Sequence, residues 1–86
     1  MDEYQIIFAR SASKELEALP ERLGERVLRR IERLANAPRP PRCRKLTGSD
    51  NLWRIRVGDY RVIYAIDDGQ RVVDVIAVRH RRDAYR

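Results

Sequence analysis

The strongest constraint on the fold is a change of hydrophobic period on either side of a proline cluster, Pro38–Pro41. Before the cluster, apolar residues recur every three or four positions, as they do on one face of a helix. After it, apolar and polar residues alternate, as they do in a strand with one buried face. A chain of 86 residues has room for one hydrophobic core. The sequence therefore predicts a single domain over residues 1–86, with a helical half followed by a sheet half.

The helical half is preceded by a short run rich in β-forming residues at 4–10, which predicts a first strand. Ser11 and Ser13 are candidate N-caps for a first helix, and Pro20 fits the first position of a second helix. The residues at helical spacing are Ala12, Leu16, Leu19, Leu23, Val27, Ile31, Leu34 and Ala35. They give a helical hairpin with one apolar face.

The sheet half contains three alternating or β-branched runs, at 52–57, 60–66 and 71–78. Gly58-Asp59 and Asp68-Gly69 separate them as two-residue turns, so the three strands form an antiparallel meander. The helical hairpin is the available cover for one face of that meander. We expect a two-layer α+β domain in the order β-α-α-β-β-β, with the far face of the sheet open to a partner.

Charge points to a phosphate-bearing partner. The net charge is +6, and 17 of the 19 basic residues are arginine, with most of the excess after residue 41. Arginine grips phosphate bidentately, although codon bias with a solvated surface would give the same composition. One cysteine, Cys43, and one histidine exclude an internal disulfide and a structural zinc site. No apolar run could span a membrane and no export signal is visible, so we expect a cytoplasmic protein.

Arginines on the predicted sheet are the main candidates for chemistry. Alternation puts Arg54 and Arg56 on the face opposite Trp53, and Arg61 follows the next turn closely enough to join them. The alternative is that they only keep an open sheet face soluble. The last strand is followed by a basic segment with an aromatic residue, which suits single-stranded nucleic acid. Its members are Arg79, His80, Arg81, Arg82 and Tyr85.

Two segments in this order resemble a known family. The run from Leu52 to Tyr64 contains the turn Gly-Asp-Tyr-Arg, and the chain ends Arg-His-Arg-Arg-Asp-Ala-Tyr-Arg. Together with the helical hairpin they resemble the RelE branch of the RelE/ParE toxins of bacterial toxin–antitoxin systems. The resemblance spans nearly the whole chain and implies a RelE-like microbial ribonuclease fold. It also implies an endoribonuclease without metal or other cofactor that enters the ribosomal A site and cuts mRNA.

The resemblance carries over to particular residues. Arg54, Arg56 and Arg61 match the family's basic sheet positions, Arg81 its late arginine and Tyr85 its carboxy-terminal tyrosine. The best-known members carry lysine at the first two positions, and arginine cannot act as a base, so the general base stays open, with His80 as one substitute. Lys45, Arg44, Arg79 and Arg82, with Arg42 beside them, are candidate RNA contacts or solvated loop residues.

The resemblance also implies a cognate antitoxin that holds the toxin inactive, with a toxin–antitoxin heterotetramer as one assembly. Two other functions remain open. A ParE-like protein would inhibit DNA gyrase by binding alone, and its helical hairpin would carry the function. A non-catalytic RNA-binding module would use the same arginines without cleavage.

Overall fold

A computed structural model describes residues 3–82 of the chain as two helices against one five-stranded sheet. The elements are β1 (Gln5–Phe8), α1 (Arg10–Glu17), α2 (Glu21–Arg33), β2 (Arg44–Lys45), β3 (Leu52–Val57), β4 (Tyr60–Asp67) and β5 (Val72–His80). The two-layer α+β fold expected from the sequence is confirmed. The sheet has one strand more than predicted, because β2 is only two residues long and carries no periodic signal of its own.

The strands lie in the order β1-β5-β4-β3-β2. The β3-β4-β5 meander is antiparallel, as predicted, and β2 extends it antiparallel to β3. β1 pairs parallel with β5, with Gln5 opposite Val72 and Phe8 opposite Val75. The helical hairpin carries the chain from β1 to the opposite edge of the sheet, where β2 lies. The meander then returns the chain, so that the last strand lies parallel to the first.

The core lies between the helices and one face of the sheet. Val27, Ile31 and Leu34 of the second helical segment, each at most 1% exposed, face the strands. Their partners in the sheet include Ile55, Val57, Val62, Tyr64, Val73 and Val75. Trp53 packs against this core with the other odd-numbered residues of β3, as the alternation predicted. Arg54 and Arg56 are thereby directed to the opposite face.

The first helix begins earlier than its serines suggested. Ala9 is the N-cap of α1 and contributes no side-chain cap, while Ser11 and Ser13 lie inside the helix. The Ala9 N–H donates to the Val75 carbonyl at 2.8 Å, so the end of β1 determines where the helix starts. The prediction that Ser11 or Ser13 caps α1 was wrong because a strand pairing took precedence over local capping.

The two turns of the meander differ. Gly58 has a φ of +60°, the left-handed value that a two-residue hairpin needs, so the Gly58-Asp59 turn is confirmed. The β4–β5 turn instead takes four residues, 68–71, and its left-handed residue is Arg71 at φ +56°, not Gly69. The Gln70 N–H donates to Asp67 Oδ1 at 2.9 Å, which supports this longer turn. The predicted two-residue Asp68-Gly69 turn was wrong.

The proline connector is anchored to the core. The Tyr64 hydroxyl donates to the Pro38 carbonyl at 2.7 Å, and burial raises the pKa of this tyrosine. The connector then crosses the β3 edge and becomes β2, which covers only Trp53 and Arg54. The edge of β3 beyond Arg54 stays uncovered among residues 3–82. Neither helix in that range is long and apolar enough to cross a membrane.

Candidate functional site

Three arginines form a row across the face of the sheet that the helices leave open. Arg56 on β3 lies opposite Arg61 on β4, and Arg61 lies opposite Arg79 on β5. Neighbouring strands are roughly 4.8 Å apart, so the three side chains start from adjacent positions on one face. The sequence predicted that Arg61 would join Arg54 and Arg56, and the register brings these residues together.

Arg61, in the middle of the row, is only 8% exposed. Like charges directly opposite each other are destabilising, and a buried guanidinium adds a desolvation cost. Arginines that merely keep an open sheet soluble would be exposed and spaced apart. The row therefore brings three guanidinium groups together around a largely buried central one.

A second row lies beside the first. Arg44 on β2 is opposite Arg54 on β3. Both belong to an open cavity of about 740 Å³ at the uncovered β3 edge, which we call the arginine groove. Its lining residues are Arg30, Pro41, Arg42, Cys43, Arg44, Arg54 and Arg56. No carboxylate of residues 3–82 lines the groove, so it is strongly cationic.

A smaller cavity of about 340 Å³, which we call the proline pocket, adjoins the groove. It is lined by Leu34, Ala37, Pro40, Pro41 and Ile55, with Arg30, Arg33 and Arg42 around them. Arg30, Pro41 and Arg42 are shared by the two cavities. The sequence singled out Arg42 but missed Arg30, because the approach of α2 to the edge of β3 is a tertiary contact.

Arg79 is held at the outer end of the row by α1. Its Nε donates to Glu15 Oε2 at 3.2 Å, and the other carboxylate oxygen accepts the Val78 N–H at 2.9 Å. β1 ends its pairing at Val75, so Glu15 accepts an N–H of β5 that β1 does not reach. This role of Glu15 could not be predicted from its neighbours in the chain, because Glu15 lies on a helix with mixed charges.

Arg81 and Arg82 follow the last strand. The Arg81 N–H donates to the Asp59 carbonyl at 2.7 Å, and its Nε lies 4.0 Å from the Asp59 carboxylate. Arg81 therefore sits at the β3–β4 turn, near the end of the arginine row, with its side chain 63% exposed. Arg82 is exposed and its N–H donates to His80 Nδ1 at 3.2 Å. Tyr85 lies outside the described residues.

His80 is not brought together with the row. It pairs with Tyr60, one position along from the Arg61–Arg79 pair, so it lies on the opposite face of the sheet. The two rings meet edge to face, with centroids 5.3 Å apart. The Nδ1 atom accepts the Arg82 N–H, which leaves Nε2 as the ring nitrogen available for a proton.

Lys45 also lies away from the row. It pairs with Trp53, and its Nζ is 6.0 Å from the centre of the indole ring. Arg39 lies over the same ring at 5.0 Å. Arg39 also pairs with Asp68 at 2.9 Å, and the Tyr4 hydroxyl donates to Asp68 at 2.6 Å. This cluster joins the proline connector to the β4–β5 turn.

The hydrogen bonds from Arg39 and then Tyr4 lower the pKa of Asp68 to about 2. The same contact with Asp68 raises the pKa of Tyr4. These shifts belong to a structural cluster on the connector side of the sheet and do not involve the arginine row. In the part of the chain that the structure describes, no three His, Cys, Asp or Glu residues are grouped to hold a metal ion.

The fold and the arginine surface define a small α+β protein with a cationic sheet face. Comparison with known proteins identifies its family. The model of the ParE toxin of type II toxin–antitoxin systems, parDE, matches residues 6–85. Toxin RelE of Mycobacterium tuberculosis is 32% identical over 84 residues, which cover 96% of this chain and 87% of that toxin. Toxin RelG of the same organism is 33% identical over 87 residues, covering 96% of this chain and 97% of the relative.

Solved structures of similar proteins have the same fold as this chain. A chain of the archaeal RelE–RelB complex from Pyrococcus horikoshii matches with a TM-score of 0.81 and 30% identity, covering 94% of this chain and 97% of that chain. A chain of the intact Escherichia coli RelBE toxin–antitoxin complex matches with a TM-score of 0.77 and 28% identity, covering 87% and 93%. The chain belongs to the RelE/ParE superfamily and is a toxin of a type II toxin–antitoxin system.

Proposed function

We propose that this toxin is an endoribonuclease that cuts mRNA in the ribosomal A site and so arrests translation. The observation that carries the proposal is the Arg56–Arg61–Arg79 row with its buried central member. A partner recognised by surface contact alone does not require a buried guanidinium between two others. A phosphate that gains charge during a reaction is stabilised by preorganised donors in a site that excludes water, and such a row supplies them. The RelE relatives support the same reading.

The reaction needs three tasks. The 2′-hydroxyl must lose its proton as its oxygen attacks the adjacent phosphorus, forming a new O–P bond. The doubly charged phosphorane must be stabilised. The bond to the 5′-oxygen then breaks, and that oxygen takes up a proton. The products are a 2′,3′-cyclic phosphate and a 5′-hydroxyl, and no metal or redox partner enters the balance.

The arginines suit the second task. Arg54, Arg56 and Arg61 bind the scissile phosphate and stabilise its added charge, since guanidinium groups donate bidentately to phosphate oxygens. Arg81, at the β3–β4 turn, acts on the leaving side. Arg44 and Arg79 flank these residues, and Arg82 and Lys45 bind RNA farther from the reacting phosphate.

Proton transfer needs another group, because arginine keeps its proton at any physiological pH. Tyr85 is our first candidate. Cations near a phenol stabilise the phenolate and so favour loss of its proton. His80 is the second candidate, although its ring lies on the other face of the sheet from the arginine row. The ribosome contributes by aligning the 2′-oxygen with the phosphorus, which the toxin's arginines do not do alone.

We further propose a cognate antitoxin as the partner in the cytoplasm, with a toxin–antitoxin heterotetramer as one assembly. The solved relatives from Pyrococcus horikoshii and Escherichia coli are complexes with their antitoxins. A cationic face of this kind is complementary to an acidic or amphipathic segment. An adjacent open reading frame that encodes such a segment would be the gene of the antitoxin.

A second candidate function is inhibition of DNA gyrase by binding, because the matching family model is that of ParE toxins. The two are separated by incubating purified toxin with mRNA, with and without ribosomes, and mapping breaks by primer extension. We expect breaks only with ribosomes, ending in a 2′,3′-cyclic phosphate. In cells, incorporation of labelled amino acids should fall before incorporation of thymidine. DNA synthesis failing first, with intact mRNA, would replace this proposal by the gyrase function.

A further inference from the structure

We infer that the proline pocket is a nucleotide subsite, in which a base rests on the apolar floor while its phosphate lies in the arginine groove. The floor consists of buried Leu34 and Ile55 with the more exposed Ala37 and the two prolines. Its volume of about 340 Å³ is at the lower end of the range for small-ligand sites. The size therefore suits one base and excludes a helix.

The charge at the rim selects an anion. Arg30, Arg33 and Arg42 surround the floor, and none of them forms an ion pair or side-chain hydrogen bond with another residue of the range 3–82. No carboxylate of that range lines the pocket. The C-terminal end of α2 carries partial negative charge, which opposes an anion, but three full positive charges outweigh it. The guanidinium N–H groups of these arginines can therefore donate to phosphate oxygens.

The combination of an apolar floor with guanidinium groups at its rim favours a nucleotide over an acidic peptide. Bases stack on apolar and guanidinium surfaces, whereas a carboxylate side chain would leave the floor uncovered. Arg30 and Arg42 also line the arginine groove that holds Arg54 and Arg56. One nucleotide can thus place its base in the pocket and its phosphate beside the proposed cleavage site.

The inference rests on the proposed function only in its choice of an RNA strand as the source of the nucleotide. Free nucleotides share the chemistry, so both sources are tested. The first probe is a uridine tetranucleotide whose 2′-O-methyl groups block cleavage. The second is the same RNA with an abasic site at each position in turn, and the third is free uridine 5′-monophosphate. Affinity is measured by titration, and the methyl resonances of Leu34 and Ile55 report occupancy of the floor.

We expect the intact tetranucleotide to shift both methyl resonances and one abasic position to weaken binding by about tenfold, as the loss of one stacked base should. Ala37→Phe fills the pocket and should weaken binding of the intact RNA by a similar factor, while removing the abasic effect. Ala37 is exposed, so the variant should fold. Asn36→Phe, at the next exposed position outside the pocket, is the matched control and should bind normally.

The arginines give a second comparison. Arg42→Gln should weaken binding of the tetranucleotide, whereas Arg22→Gln, near the start of α2 and away from both cavities, should leave it nearly unchanged. Comparable affinity for free uridine monophosphate would assign the pocket to free nucleotides, and much tighter binding of the tetranucleotide would assign it to an RNA strand. Either result supports a nucleotide subsite.

Equal binding of intact and abasic RNA, with unmoved Leu34 and Ile55 signals, would overturn the inference. So would methyl shifts caused by a hexaglutamate peptide and by no nucleotide. The assay contains no ribosome and measures no cleavage. A toxin that binds the base here but never cuts mRNA would therefore refute the proposed function and leave the subsite standing.

Discussion

Arg56 and Arg61 lie directly opposite each other on β3 and β4, five positions apart in the chain across a two-residue turn. The turn at Gly58 determines this register, because its left-handed φ allows the hairpin to close with only two turn residues. Arg61 is then placed between Arg56 and Arg79 and is nearly excluded from solvent. Opposed like charges have a cost, which the Glu15 carboxylate reduces for Arg79. Under the proposed function, a bound phosphate would stabilise the row further.

Replacing Arg61 by lysine tests this arrangement. Lysine keeps the positive charge but loses the planar fork, so we expect the single-turnover cleavage rate on ribosomes to fall roughly tenfold with little change in ribosome affinity. Arg61→Gln should cost about 10² to 10³ in rate. Arg22→Lys, on the exposed surface of α2, is the control. Wild-type rates in both Arg61 variants would remove Arg61 from the site.

The Asp68 cluster predicts a loss of stability in acid. The pKa of Asp68 is lowered to about 2 by Arg39 and Tyr4, from 3.8 for the free side chain. Its stabilising contribution is therefore present above about pH 4 and disappears as the pH falls towards 2. In thermal melts, wild type should exceed Asp68→Asn in Tm above pH 4, and the difference should close towards pH 2.

Asp50→Asn is the matched control, because Asp50 is an exposed aspartate in the loop before β3. A constant Tm difference between wild type and Asp68→Asn from pH 6 to pH 2 would contradict the ionic origin of the effect. The raised pKa of Tyr4 adds a second limit. Its contribution is present below about pH 10 and should decline in strong alkali, as the phenol ionises.

Glu15 predicts a graded effect on stability. It accepts the Val78 N–H and also pairs with Arg79. Glu15→Gln keeps an acceptor for Val78 and should cost about 0.5 kcal/mol in the free energy of unfolding. Glu15→Ala leaves the N–H without its partner and should cost about 1 to 3 kcal/mol. Urea unfolding measures both, and equal losses in the two variants would contradict the assigned hydrogen bond.

The sequence predicted the parts of the fold that local chemistry determines. The β3–β4 hairpin was predicted correctly because alternation and the Gly58-Asp59 turn agree. β2 was missed because Arg44 and Lys45 are too few to show a period. The β4–β5 turn was misjudged because local sequence does not show its tertiary contacts. Asp68 is bound by Arg39 and Tyr4 from distant segments, and Arg71 rather than Gly69 has a left-handed φ.

The candidate site, like the fold, was predicted only in part. The proximity of Arg61 to Arg54 and Arg56 follows from one hairpin and was predicted. Arg30 was missed, because only packing brings α2 beside the β3 edge. His80 was grouped with its neighbours in the chain, and strand alternation separates it from them. Residues linked by a short turn are thus accessible to sequence reasoning, whereas residues linked through the core are not.

Masking by an antitoxin is a further prediction. The toxin co-expressed with the adjacent open reading frame should form a stable complex whose acidic or amphipathic segment covers the arginine face. Guanidine-directed reagents should then modify Arg54, Arg56 and Arg81 in the free toxin and spare them in the complex. Arg22 serves as an internal control for reagent access. An antitoxin seated only on the helical hairpin, with the three arginines still reactive, would refute the masking.

The last prediction separates an enzyme from an RNA-binding module. Tyr85→Phe removes one hydroxyl and keeps the ring, so stacking on a base and binding to the ribosome should survive. If the hydroxyl transfers a proton, the single-turnover rate should nevertheless fall by about 10² to 10⁴. Tyr85→Ala should reduce both binding and rate, because it also removes the stacking surface.

His80→Gln is the companion variant. His80 lies on the other face of the sheet from the arginine row, so we expect its replacement to change the rate less than Tyr85→Phe does. A rate unchanged in Tyr85→Phe but lowered in His80→Gln would transfer the proton-transfer role to the histidine. Full activity in both variants would mean that the proton moves through the ribosome or the RNA, with the toxin's arginines supplying only charge.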